Sequence, residues 1–543
     1  MSNNVTPAGI WSAFSGPNLG YVLEQYDVYV QSPEEVSDKE LVALFEQFGA
    51  PTVEGVAAAE VTSAGATVAQ ADFKKILGAA QLAEAIRQHG HLAADLYPLK
   101  DRQLDSSRIE ESAYGLSAAD LASMPASMFF EQVPAGVTNG KEAIDYLKSI
   151  YVGKIGFEYG HVTNKEEKAW IKAQVEGGAV QTKLSADEKK AVLERLTRIE
   201  GFEKFIHKTF VGQKRFSGEG LDTQVILFDE ILKAAETAKV ENVRIGMAHR
   251  GRLNVLTHVL NKPYAMMFAD FAHVTNDYFL PEDGRLSITK GWTGDVKYHM
   301  GASYNRESGM NVSLAYNPSH LEVGAPVVMG QTRAAQDNRA KSGAVDFDAL
   351  KALGIIVHGD AAFPGQGIVT ETLNFAKTEG FSNGGTIHII ANNMIGFTTE
   401  HYDSRSSKYS SDAAKGYEVP VVHVNADSPE DVVAVGRFAV AYRQTFQKDI
   451  VIDLIGYRRY GHNETDDPTV TNPDTYKLVA KHETIRKLYG AELAAAGIVS
   501  NEEVDKLDKD IYAELQAAYD HVKEVGKTDE HKHVEMPEEL KVD

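Results

Sequence analysis

Residues 355–367 read Ile-Ile-Val-His-Gly-Asp-Ala-Ala-Phe-Pro-Gly-Gln-Gly, and residues 386–393 read Thr-Ile-His-Ile-Ile-Ala-Asn-Asn. Each opens on a β-branched run bounded by turn residues, which predicts strands at Ile355–His358 and Thr386–Ala391. A helix over Gly367–Lys377 fits between them. Such a strand–helix–strand unit crosses over with a right hand, so both strands end at the same edge of one sheet. Asp360 follows the first strand and Asn393 the second. There a carboxylate oxygen and an amide oxygen can share one hard cation. Mg2+ takes about six oxygen ligands, often water and phosphate among them. Gly365 and Gly367 open the helix, whose N-terminus suits a diphosphate. Taken alone, Asp360 reads as a turn residue and Asn392-Asn393 as a strand-end turn. The combination favours a metal and phosphate site.

Outward from this unit the alternation continues. Further strands are expected at Val243–Ala248, Pro420–Val424 and Ile450–Ile455. A helix is expected over Pro429–Phe446, with Ser428 as N-cap, Pro429 at its first position and Glu430 and Asp431 in its first turn. Leu221, Val225, Phe228, Leu232 and Ala235 keep a helical period. This predicts an α/β fold, a doubly wound parallel sheet covered on both faces, with ligands beyond the carboxyl ends of the strands. Residues 206–490 form that domain. Upstream, Phe73, Ile76, Leu77, Ala80, Leu82, Ala85 and Ile86, and later Ala191, Leu193, Leu196 and Ile199, predict a helical domain over 71–205. Residues 51–70 are rich in Ala, Gly, Thr and Ser and read as a linker. Residues 1–50, with a helical pattern near Lys39–Phe48, are then a tethered docking segment or an arm packed on the same protein. Residues 491–543 read as a charged helical tail.

The chain has 543 residues, 43% hydrophobic and 24% charged, a composition of globular proteins. Its formal net charge of −22 disfavours nucleic acid and anionic membranes as partners. It has no cysteine, which excludes disulfides, thiol nucleophiles and thiolate metal sites and fits a reducing compartment. The opening Met-Ser-Asn-Asn-Val-Thr-Pro shows no secretory pattern, and no run approaches the ~18 apolar residues of a membrane span. The expected location is the cytoplasm.

Gly359-Asp360, then Asn392-Asn393, resembles the motif by which thiamine-diphosphate enzymes hold Mg2+ and the cofactor diphosphate. The usual Gly-Asp-Gly is Gly-Asp-Ala here, a departure shared by the decarboxylating first component of 2-oxoglutarate dehydrogenase complexes. The resemblance extends to Arg215-Phe216-Ser217-Gly218-Glu219-Gly220-Leu221-Asp222 and to Gly246-Met247-Ala248-His249-Arg250-Gly251-Arg252-Leu253-Asn254. It continues through Gly294-Asp295-Val296-Lys297-Tyr298-His299-Met300-Gly301, Asn317-Pro318-Ser319-His320-Leu321-Glu322, Gly396-Phe397-Thr398-Thr399 and Tyr457-Arg458-Arg459-Tyr460-Gly461-His462-Asn463-Glu464. Essentially all of 71–490 is similar to that family. The resemblance implies that Asp360, Asn393 and the carbonyl of Ile395 ligate Mg2+. It implies that Arg250, Ser319, His320, Leu321, Ala361 and Ala362 line thiamine diphosphate, and that His249 and His299 face the reacting centre, with Arg250 beside the 2-oxo acid. His320 and His462 read equally well as structural groups, and His89 and His91 as surface or packing residues. The polar stretch Asp403–Tyr409 is either a loop that orders with cofactor or a solvated loop.

The implied activity is oxidative decarboxylation of 2-oxoglutarate in the tricarboxylic acid cycle, with succinyl transfer to the lipoyl group of the dihydrolipoyl succinyltransferase component. Alternatives are a dehydrogenase of another 2-oxo acid such as pyruvate, or a non-catalytic subunit for complex assembly. Family members carry a pyrimidine-binding domain and a further C-terminal domain after the diphosphate-binding one. This chain is expected to end before them, as a fragment or as half of a split enzyme partnered by a separate polypeptide. The complete form is expected to be a homodimer.

Overall fold

β-Branched runs that are apolar at every position, not at alternate ones, need cover on both faces. Four of the strands come close to this, buried along nearly their whole length with His358, His388, His423 and Asp453 set among the apolar residues. The computed structural model describes residues 17–36, 38–50, 70–181, 183–288, 296–340 and 342–528. Its main sheet has nine strands: β1 (Ile155–Glu158), β2 (Asn242–Met247), β3 (Leu286–Ser287), β4 (Ala302–Asn305), β5 (Asn311–Leu314), β6 (Ala352–Gly359), β7 (Thr386–Asn392), β8 (Val421–Asn425) and β9 (Ile450–Ile455). Their order is β1-β8-β9-β7-β6-β2-β5-β4-β3. The six strands from β8 to β5 pair in parallel, and antiparallel strands close both edges.

The two faces are legible in alternate residues. Ile389 of β7 packs with Ile452 of β9 and with Val432, Val435 and Phe438 of the helix Pro429–Phe446. Ile390 and Val451 face the other way, onto Phe363 and the helix Gly367–Phe375. Helix Gly324–Gln336 lies against β2 and β6. The sequence-predicted strands match β2, β6, β7, β8 and β9 to within a few residues. β1, β3, β4 and β5 were not foreseen: they have two to four residues each, too few to show a period. Ser428 stands at the N-cap position, but its hydroxyl donates to the Asp431 carboxylate instead of accepting a backbone N–H.

The stretch 71–205 supplies the helices Gly140–Tyr151, Lys165–Glu176 and Ala186–Thr209 and also β1, which pairs with β8. Residues from 71 onward form one compact unit. At its other end, the helix Asn501–Thr528 buries Ile511, Leu515 and Val522 and packs against the helices Ala186–Thr209 and Tyr264–Ala272. The expected tail beyond 528 lies outside the described residues. No described helix is long and apolar enough to cross a membrane.

The other unit ends at Gln70. Within it, helices Pro17–Gln31 and Lys39–Phe48 enclose Val22, Leu41 and Phe45, with Tyr26 and Tyr29 packed on Phe45 at 5.1 and 5.4 Å. Asp38 caps the second helix by accepting from the Glu40 and Leu41 N–H groups. The expected linker, apart from Gln70, lies outside the described residues.

One crossing sets the distance between the Arg215–Asp222 segment and the end of β9. Gly220 has φ +98°, and a Cβ there would lie 2.1 Å from the Tyr457 carbonyl oxygen; a Cβ on Gly456 would lie 2.2 Å from the Gly220 oxygen. Gly220→Ala combines a left-handed strain with a backbone clash. It is expected to cost about 2–5 kcal/mol, read as a lower midpoint in urea unfolding.

Candidate functional site

β6 and β7 are neighbours at the centre of the sheet, with Gly359 opposite Ala391. The next residue of β6 is Asp360, and Asn393 comes directly after β7. Both are buried. Burial pushes the Asp360 carboxyl up to about 7, against the pull of Arg405 and of the backbone amides of Asp360 and Asn393. Asp360 Oδ2 has no hydrogen-bond partner among the described residues. Asn393 Oδ1 accepts the Ile395 N–H at 3.2 Å, which folds the chain back and leaves the amide oxygen a second lone pair. Met394 and Phe397 take positive φ in this turn. Arg458 Nη1 donates to the Phe397 carbonyl at 2.8 Å and fixes the turn.

Beside this edge lies a cavity of about 120 Å3. Of the sequence-predicted residues, His249, Arg250, Leu321, Asp360, Ala361, Ala362, Asn393 and Ile395 line it. Ser319 and His320 do not; they are exposed on the loop that leads to Leu321. His299 does not line it either. It is buried beside Tyr298, whose ring lies 6.4 Å from that of His249. The helix expected to meet a diphosphate starts at Gly367, as predicted, but the cavity wall is the segment Gly359–Ala362. A separate turn, Ala362–Gly365, intervenes because Gln366 is extended (φ −92°, ψ 113°).

Arg458 and His462 also line the cavity. Arg458 was missed because no spacing marks it: its Nε bonds the Tyr460 carbonyl and the Tyr476 hydroxyl, contacts visible only in the fold. Arg250 donates to the carbonyls of Ser217 and His462 at 3.0 and 2.8 Å. Burial, then Arg458, lowers its guanidinium to about 10, so it stays charged at neutral pH. Burial, then Arg250, takes both His249 and His462 down to about 4. Around the cavity, then, two guanidiniums (Arg250, Arg458) and three imidazoles (His249, His358, His462) accompany one carboxylate. That balance suits an anion, and the neutral rings can accept a proton or a hydrogen bond.

Further groups hold these in place. Arg252, fully buried, donates to the carbonyls of Met300 and Met247, each at 2.9 Å, and to those of His299 and Ala315. It thereby ties the end of β2 to the His299 segment. Behind Asn393, Asn392 donates to Asp453 Oδ1 at 2.9 Å. His423 lies between Asp453 Oδ2 (2.8 Å) and Glu158 Oε2 (2.9 Å), and Lys415 and His91 also reach Glu158. His91, read as a surface or packing residue, is thus part of a buried polar chain, with Tyr409 OH 2.9 Å from its Nδ1. The polar stretch Asp403–Tyr409 is not simply solvated: the Arg405 side chain and Tyr409 are buried.

The sequence model of the family described as "Dehydrogenase E1 component" matches residues 219–531. The chain belongs to the dehydrogenase E1 component family. Its similarity to members of known name runs through nearly its whole length. It is 51% identical over 523 residues to the 2-oxoglutarate dehydrogenase E1 component of Geobacillus sp. (strain WCH70), covering 94% of this chain and 55% of that one. It is 49% identical to the protein of the same name from Bacillus subtilis (strain 168), over 94% of this chain and 54% of the other. For Bacillus velezensis (strain DSM 23117 / BGSC 10A6 / LMG 26770 / FZB42) the figures are 48%, 99% and 57%. The chain therefore spans about half the length of these E1 relatives.

Proposed function

We propose that this chain is the diphosphate-binding part of a 2-oxoglutarate dehydrogenase E1 component that uses thiamine diphosphate and Mg2+. The observation that carries this reading is the buried Asp360 carboxylate oxygen, without a hydrogen-bond partner among the described residues, beside Asn393 at the ends of two central parallel strands. A buried carboxylate oxygen without a hydrogen-bond donor is costly, and Arg405 faces it at 3.8 Å without bonding it, so the oxygen stays open to a cation and the residues fit the group. Asp360, Asn393 Oδ1 and the Ile395 carbonyl would hold Mg2+. Ala361, Ala362, Leu321 and Arg250 would line the cofactor, with Ser319 and His320 on the loop beside it. Bound there, thiamine diphosphate supplies the electron sink that lets a 2-oxo acid lose CO2.

The chain's own groups do the rest. Arg250 and Arg458 offset the negative charge of diphosphate and of the 2-oxo acid. His249 and His462 are neutral at pH 7 and can take up and return a proton at a ring nitrogen. Arg252 fixes the backbone of His299, which would act on substrate only from outside the cavity wall. The names of the relatives support 2-oxoglutarate as the acid; the dihydrolipoyl succinyltransferase component as partner, a homodimeric complete form and a place in the cytoplasm belong to the same proposal through the family resemblance.

The test is acid-dependent reduction of an artificial electron acceptor by the protein that carries this chain, with thiamine diphosphate and Mg2+ supplied. A kcat/KM at least ~100-fold higher for 2-oxoglutarate than for pyruvate is expected, since a site built for a second carboxylate discriminates strongly against its absence. Preference for pyruvate would reassign the acid, and no cofactor binding would discard the reading. The separate helical pair of residues 17–50 further suggests a docking module. Deleting residues 1–50 is expected to leave acceptor reduction intact and to lower turnover of the assembled complex, since tethering raises effective concentration without building the site. Unchanged complex turnover would discard the docking role.

A further inference from the structure

We propose that Arg405 is the resident counter-cation of Asp360, holding its charge in place of the divalent ion and setting the affinity of the site for metal. This rests on the metal reading above and deepens it. Arg405 Nη1 lies 3.8 Å from Asp360 Oδ2, and both side chains are 4% exposed. Each of these two atoms lacks a hydrogen-bond partner among the described residues. Buried guanidinium and carboxylate groups ordinarily close to about 2.7–2.9 Å, often in a bidentate fork. Here the charges face one another without bonding, so the pair offsets the burial of both yet leaves the oxygen open.

The chain on either side of Arg405 is anchored. On one side of it, His401 Nδ1 is 2.8 Å from Arg102 Nη2. On the other, Tyr409 is buried, its N–H donates to Asp412, and the Ser410 hydroxyl donates to the Asp360 carbonyl at 2.6 Å. Arg405 itself is extended (φ −155°, ψ 150°). It is absent from the cavity wall, so it meets the carboxylate from outside the cofactor space. A divalent ion on Asp360 would be repelled by this guanidinium at close range, where the low dielectric leaves charge effects strong. Binding must therefore displace Arg405 or proceed against it.

Manganese binding to the whole chain, followed by the electron paramagnetic resonance of free Mn2+, tests this, with Mn2+ alone and with thiamine diphosphate. Arg405→Gln should bind Mn2+ at least tenfold more tightly than the unmodified chain, and Arg405→Lys should stay within about threefold of it. The gain should vanish when Asp360→Asn is added. Circular dichroism establishes that each variant is folded, and Arg405→Met serves if Arg405→Gln is not. Equal or weaker binding by the neutral variant overturns the proposal while the metal reading stands. Mn2+ binding that ignores Asp360→Asn overturns both.

Discussion

Asp360→Asn is expected to weaken Mg2+-dependent binding of thiamine diphosphate by roughly three orders of magnitude, with the sheet left folded. Asp360 is the one side-chain carboxylate in the proposed ligand set. A unit charge at about 4 Å from another, at the effective dielectric of a partly buried site, is worth about 4 kcal/mol, and a divalent ion feels more. Asparagine keeps the shape and one oxygen, so the loss isolates the charge. Folding should survive because the replaced group is itself poorly satisfied: Oδ2 has no hydrogen-bond partner among the described residues, faces Arg405 only at 3.8 Å, and burial already drives the carboxyl up to about 7. Calorimetric titration with thiamine diphosphate in Mg2+ reads the affinity, and thermal melting reads the fold. An unchanged dissociation constant would remove Asp360 from the metal site.

His423→Ala is expected to cost about 3–5 kcal/mol of stability, because it leaves two buried carboxylates without their shared cation. His423 is fully buried between Glu158 and Asp453. Burial works against its imidazolium, yet the two carboxylates outweigh it and raise the ring to about 9, from an ordinary 6.5. Glu158 is correspondingly held far below its ordinary 4.5 by His423 and by His91 and Lys415, despite its own desolvation. The raised histidine contributes stability that is complete below about pH 6.5 and is lost as pH rises through about 9. The depressed glutamate contributes stability that is complete above about pH 4.5 and is lost on acidification. The contribution of this cluster to urea resistance should therefore be greatest between about pH 4.5 and 6.5. The decline toward pH 9 should shrink in His423→Ala. A variant with the same alkaline decline would show that His423 is not the titrating group.

The elements around Asp360 could be read from residues alone because each signal is local. β-Branched runs announce β6, β7, β8 and β9, and the residues that follow two of them are the carboxylate and the amide. The buried polar chain could not be read in this way. Glu158, His423 and Asp453 come from three strands and meet only once β1 and β9 have paired on either side of β8. β1, Ile-Gly-Phe-Glu, is too short to declare itself within a helical stretch. Arg405 looked like one more polar residue among serines, since burial of a guanidinium leaves no mark on local composition. For Ser319, His320 and His299 the motifs place the residues near the site in sequence, while none of the three lines the cavity. Ser319 and His320 remain exposed, and His299 is buried beside Tyr298.

The pairing of Gly359 with Ala391 has a consequence for how this site can fail. Asp360 and Asn393 are carried by two strands whose alignment is counted in whole residues. Slipping one strand by a single residue would turn its inward side chains outward, and a slip of two would move the carboxylate about 6.6 Å along its neighbour. No intermediate alignment satisfies the backbone bonds between them. The separation of the two proposed metal ligands is thus quantised and cannot drift. Damage remote from the site, by heat or by mutation elsewhere in the sheet, should change the fraction of molecules that bind cofactor and leave the affinity of the binding fraction constant.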